Sequence, residues 1–208
     1  MAARTKSSAR WLNEHVNDPY VKQAQKEGYR SRSSYKLIQL NEKDRLIRPG
    51  MLVVDLGSAP GGWSQVAGRL VGAKGRVLAT DILPMAPVKN VDFVQGDFCD
   101  EAVLQQVLER LEGKAPDVVL SDIAPNISGI DSADQASAMY LVELALGMAR
   151  QVLKPKGDFV AKVFQGAGSD AFLKDLRTSF EKVLIRKPAA SRARSREVYM
   201  VGKGFKGE

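Results

Sequence analysis

A chain of 208 residues with 44% hydrophobic and 26% charged content has the size and balance of one globular domain with a sizeable core. One cysteine, Cys99, and one histidine, His15, exclude an internal disulfide and a Cys/His zinc cluster, so no metal site is expected and acid–base chemistry falls to Lys, Asp, Glu or Tyr. The net charge of +7 is uneven: residues 1–48 carry 11 Lys and Arg against 5 Asp and Glu, residues 49–173 carry 10 against 15, and residues 174–208 carry 10 against 4. Two basic ends around an acidic centre favour a polyanionic partner, nucleic acid above all. The basic start "MAARTKSSARW" lacks the apolar core of a signal peptide. No run approaches the ~18 apolar residues of a membrane span. A cytoplasmic protein is expected, and nothing asks for more than a monomer.

In chain order, residues 1–30 read as a basic, polar helical arm, and 31–208 as a single domain. Five short apolar runs then alternate with helical segments. The runs are "MLVVDLG" (51–57), "RVLATDI" (76–82), "VDFVQGD" (91–97), "PDVVLSD" (116–122) and "GDFVAKVF" (157–164). The helical segments are Gly62–Val71, Asp100–Glu112 and Ala133–Leu153, the last with Met139, Val142, Leu146 and Ala149 as a core-facing stripe. That alternation predicts a doubly wound parallel sheet. After a helix near Asp170–Ser179, "EKVLIRK" and "REVYMVG" predict an antiparallel strand pair at the sheet's end.

In such sheets ligands bind outside the carboxyl ends of the strands. Those ends carry Asp55, Asp81, Asp97 and Asp122, four acids expected along one rim. "DLGSAPGGW" (55–63) follows the first strand and opens a helix. Gly57 permits a tight turn there, and Gly61 and Gly62 let a ligand approach the backbone. Its glycine spacing fails the G-x-G-x-x-G dinucleotide pattern, and Pro60 withdraws an amide that a pyrophosphate would need. Asp81, 20 residues after Gly61, is placed to accept from ribose hydroxyls, and Asp97 to meet an adenine edge. Ribose and adenine without a pyrophosphate describe S-adenosylmethionine (AdoMet).

One residue breaks the pattern of a buried strand. Lys162 lies among Val160, Ala161, Val163 and Phe164. A lysine is almost never fully buried without a partner, and an unpaired buried ammonium costs several kcal/mol.

"DLGSAPGGWSQ", "TDILPM", "VDFVQGDF", "SDIAPNISG", "MYLVELAL", "VAKVFQG" and "SRARSREVYMV" together resemble the FtsJ/RrmJ family of ribosomal RNA 2′-O-ribose methyltransferases, from about Trp11 to Val201. The resemblance implies an α/β, Rossmann-like, AdoMet-dependent methyltransferase fold, a seven-stranded mostly parallel sheet with helices on both faces. It implies AdoMet contacts by Gly61, Trp63, Asp81, Asp97 and Asp122, and a catalytic set of Lys36, Asp122, Lys162 and Glu197. The substrate it implies is a uridine ribose in the A-loop of large-subunit ribosomal RNA, on the assembled subunit. A messenger cap or transfer RNA is the rival substrate, and a non-catalytic ribosome assembly factor the rival from another class.

A ribose hydroxyl attacks a methyl only when its proton is removed, and with no catalytic histidine a lysine is the candidate base. A free lysine, with pKa ~10.4, is mostly protonated at pH 7; burial and a second ammonium lower that value and a carboxylate raises it. Lys162 is therefore expected as the base, with Asp122 and Lys36 orienting it and Glu197 supporting Lys36. Arg30, Arg32, Arg192, Arg194 and Arg196 are expected to neutralise RNA phosphates.

Overall fold

The computed structural model describes residues 17–125 and 128–207. His15 and most of the expected N-terminal arm lie outside these. Helix α1, Pro19–Glu27, starts on Asp18, whose carboxylate accepts from Tyr20 N at 2.9 Å, and ends at Gly28 in the left-handed region. Its buried Val21 and Ala24 hold it to the body, Ala24 in a small cluster with Tyr35 and Ala190. Helix α2 follows at Ser34–Asp44.

The five predicted runs become β1 Leu52–Leu56, β2 Arg76–Asp81, β3 Val91–Gln95, β4 Val118–Ser121 and β5 Asp158–Phe164. Between them lie α3 Gly62–Val71, α4 Glu101–Leu111 and α5 Asp131–Val152. Helix α6, Ser169–Ser179, leads into β6 Phe180–Arg186 and β7 Glu197–Phe205. The seven strands run in the order β3-β2-β1-β4-β5-β7-β6. Strands β1 to β5 pair in parallel, and β7 is antiparallel to both β5 and β6. The expected strand pair is therefore present, with β7 inserted between β5 and β6. Strand order reverses between β1 and β4, the point where α/β sheets open a crevice at their carboxyl ends.

The apolar runs read as strands because both faces are covered. On one face Val54, Val119, Phe159 and Ala161 pack with α4, α5 and α6, where the predicted stripe Met139, Val142, Leu146 and Ala149 is buried. On the other, Val53, Val118, Leu120 and Val160 pack with Leu37 and Leu40 of α2 and Trp63, Val66 and Ala67 of α3. Side chains alternate along a strand, so Lys162 shares a face with Val160, toward α2. Its direct neighbour on β7 is Tyr199, and Glu197 lies two residues further along the same face.

Candidate active site

Four of the expected residues meet on that face. Lys162 Nζ donates to the backbone carbonyl of Asp122 at 2.7 Å and lies 3.2 Å from its carboxylate Oδ1. Lys36, carried by α2, reaches across to Glu197 at the start of β7, with Nζ 2.7 Å from Oε1. All four side chains are sheltered, with 8% exposure for each lysine, 11% for Glu197 and 15% for Asp122. The lysine in the apolar strand thus has its partner: two oxygens of one aspartate.

Tyr199 joins the two ion pairs. Its hydroxyl donates to Asp122 Oδ1 at 2.7 Å, and the Lys36 ammonium lies 5.7 Å from its ring centroid, within cation–π range. Burial, together with the charges of Asp122 and Glu197, holds the phenol well above its ordinary pKa, so it remains a donor. Sequence reasoning missed Tyr199, because a tyrosine in a strand also fits ordinary packing. The usable signal was its spacing, two residues from Glu197 on the same face. Gln135 was missed as well. Its amide donates to the carbonyls of Phe164 and Ala167 at 3.0 Å each, pinning the turn that follows the Lys162 strand.

Along the same rim, Asp81, Asp97 and Asp122 line a cleft of about 410 Å³, together with Gly57, Ala59, Phe98 and Ile123. The Asp81 carboxylate accepts from Ala59 N and Leu83 N at 2.8 Å each, which ties the glycine loop to the end of β2. Each oxygen keeps a lone pair for a further donor. Asp97 accepts from Cys99 N at 2.9 Å. Ile82 and Leu83, about 60% and 59% exposed, supply apolar wall. Among the described residues no lysine or arginine lines this cleft. Hydroxyl acceptors, apolar walls and negative charge without a phosphate-holding cation fit a phosphate-free nucleoside bearing a positive sulfur.

Other expectations need correction. Asp55 is not part of the rim. It is 1% exposed, turned inward, and accepts from Ser64 Oγ at 2.6 Å, while its Oδ1 has no partner. Burial pushes its carboxyl up to about 7; the Ser64 hydrogen bond opposes this, and the charges of Asp122 and Asp81 add to it.

The glycine loop is crowded by the protein itself. A Cβ on Gly57 would lie 2.1 Å from Ile123, one on Gly61 2.8 Å from Arg30, and one on Gly62 2.9 Å from Ser34. Trp63 is 2% exposed and donates from Nε1 to Ser33 O at 2.9 Å, so its indole belongs to the core. A ligand contact by Trp63 is left to its backbone N–H, one of the first-turn amides of α3 without an intrahelical acceptor.

Of the five expected phosphate-binding arginines, Arg30 and Arg32 are bonded to the protein itself, and Arg192 lies 3.9 Å from Asp18. Arg30 donates to the carbonyls of Pro60, Ala86 and Pro87 at 3.2, 2.6 and 2.7 Å. Arg32 pairs with Asp18 at 2.8 Å and donates to Ala190 O at 2.7 Å. Arg196, by contrast, is 58% exposed and 4.0 Å from Asp131.

Residues 29–205 match the model of the FtsJ-like methyltransferase family. The chain belongs to that family. A protein of Stutzerimonas stutzeri named ribosomal RNA large subunit methyltransferase E is 75% identical over 204 residues, 98% of this chain and 99% of that protein. A Marinobacter nauticus protein of the same name is 68% identical, over the same shares of the two chains. Among solved structures, one described as a ribosomal RNA methyltransferase of Plasmodium falciparum superposes with a TM-score of 0.77 at 29% identity, covering 86% of this chain and all of that one. This methyltransferase thus has the seven-stranded, mostly parallel fold implied by its motifs. Among the described residues no helix is long and apolar enough to cross a membrane.

Proposed function

We propose that this methyltransferase transfers a methyl group from AdoMet to the ribose 2′-oxygen of a uridine in large-subunit ribosomal RNA, the A-loop uridine of the assembled subunit. It acts in the cytoplasm as a monomer, with residues 31–208 as the catalytic domain and residues 1–30 as a basic arm. One observation carries the reading: Asp122 lines the cleft and also anchors Lys162, so the cofactor wall and the candidate base share a residue.

Asp81 would accept from the ribose hydroxyls of the cofactor and Asp97 would meet its adenine edge, while the amides near Gly61 and Trp63 would receive its methionine end. Bound there, AdoMet supplies an electrophilic methyl on a positively charged sulfur. Lys162 is the general base toward the substrate 2′-hydroxyl, and the ammonium that results is held by the carbonyl and carboxylate of Asp122. Tyr199 donates to the same carboxylate oxygen, Oδ1, that faces Lys162, and so holds it in place. Lys36, fixed by Glu197, positions the ribose. Exclusion of water by the surrounding apolar residues keeps these charge interactions strong.

The test is incubation with labelled AdoMet and, separately, naked ribosomal RNA, large subunits and transfer RNA. Label in an alkali-resistant dinucleotide from large subunits is the expected result, since a methylated 2′-oxygen blocks alkaline cleavage. Label confined to transfer RNA would redirect the substrate, and none at all would overturn the reading.

A further inference from the structure

On the outer side of α3, next to the cofactor cleft, lies a second concavity of about 490 Å³. It is lined by Arg30, Arg69 and Lys89, with Gln65 and Asn90 between them, and, among the described residues, by no carboxylate. The groove follows α3 from Gln65 in its first turns to Gly72 just past its end. The seven steps from Gln65 to Gly72 span about 10 Å of helix rise. It begins at Arg30, whose guanidinium is bonded to Pro60 of the glycine loop, so it opens beside the catalytic rim.

Its amide side chains already have partners. Gln65 Nε2 donates to Gly28 O at 3.0 Å and Asn90 Nδ2 to Gly68 O at 3.2 Å. The cations remain as donors to a ligand. Arg69 lies over the Tyr29 ring, 4.6 Å from its centroid, a contact that orients a guanidinium without neutralising it. Glu27 is the acid that feels the Arg69 charge, but its carboxylate accepts from Gln23 and Tyr35 and does not line the groove. Lys89 is exposed and has no acidic partner among the described residues. Three cations along an open channel, with no anion among them, suit a chain of phosphates.

We propose that this groove holds the phosphodiester backbone of the substrate RNA away from the target nucleotide, with Arg69 and Lys89 as phosphate contacts and Arg30 as a fixed wall. The proposal rests on the RNA reading above and extends it to a face separate from the basic β6–β7 loop. Such contacts position the RNA without reading its bases.

The test compares wild type, the double variant Arg69→Gln/Lys89→Gln and the charge-keeping variant Arg69→Lys/Lys89→Arg. Affinity for undermethylated large ribosomal subunits is measured over a series of salt concentrations, alongside AdoMet affinity and melting temperature. The double variant should bind subunits several-fold more weakly, with a salt slope shallower by about 0.7 to 0.9 per cation removed. Its AdoMet affinity and melting temperature should match wild type, and the charge-keeping variant should bind subunits as wild type does. Unchanged subunit affinity and salt slope in the double variant would overturn the groove. Equal loss in both variants would assign the effect to packing on Tyr29 and overturn it too. Failure of the RNA reading itself looks different: wild type would then leave no alkali-resistant label in any RNA.

Discussion

The two halves of the sheet's carboxyl rim handle charge in opposite ways. On the β1–β3 side, the carboxylates of Asp81 and Asp97 are held by backbone amides of their own loops and, for Asp81, of the glycine loop, and face an open cleft. On the β4–β5–β7 side, carboxylates meet ammonium groups across elements distant in the chain, Lys36 with Glu197 and Lys162 with Asp122. A carboxylate fixed by amides keeps lone pairs for a ligand, which makes a binding wall. A sheltered ion pair is a charge device, because its strength depends on the exclusion of water. Asp122 belongs to both halves: it lines the cleft and is also the partner of Lys162.

That contrast can be broken experimentally, and the largest effect belongs to the charge device. Replacing Lys162 by Ala should lower the methyl-transfer rate by about 10²- to 10⁴-fold, the range general-base catalysis supplies, with AdoMet affinity by calorimetry within a few-fold of wild type. A matching loss of AdoMet affinity would merge the two halves.

Asp55 lies beneath both. Its folded pKa of about 7 is above the unfolded aspartate value, so the folded state binds the extra proton and stability falls as pH rises from about 4 to 7. Asp55→Asn should flatten that part of the urea-unfolding profile, with a difference from wild type approaching about 4 kcal/mol above pH 7 and vanishing near pH 4. A profile parallel to wild type would show Asp55 ionised and satisfied when folded.

On the cleft side, Gly57→Ala meets Ile123 and a φ of +71°, and should cost about 2 to 4 kcal/mol of stability, read by thermal melting. Tyr199→Phe sharpens the comparison most finely. Loss of one hydrogen bond to a carboxylate should cost about 1.5 to 3 kcal/mol and lower kcat, with KM for AdoMet unchanged. A raised KM with normal kcat would make Tyr199 part of the binding wall instead.

The strands were legible because a parallel strand covered on both faces is apolar through its middle, as β1, β2, β4 and β5 are, while the edge strand β3 is only half buried. Lys162 was legible for the same reason, as the single charge that such a run does not tolerate without a partner. Asp55 and Asp81 looked alike, each ending an apolar run. Which one faces solvent depends on the helix laid against it, and Ser64 of α3 draws Asp55 inward. The arginines misled in the same manner. Composition counts charges but not their partners, and Arg30 and Arg32 find theirs in carbonyls and an acid that are remote in the chain or a helix away.

The order of apolar runs, helix stripes and acidic strand ends was enough to determine the layered sheet and the motifs of the family, because local periodicity and burial are properties of neighbouring residues. Tertiary structure alone decided that Tyr199 bridges two ion pairs, that the glycine loop is packed by the protein's own Arg30 and Ser34, and which arginines remain at the surface. Those outcomes depend on which distant segments are brought within a few ångströms, and the pattern within any one segment does not contain that distance.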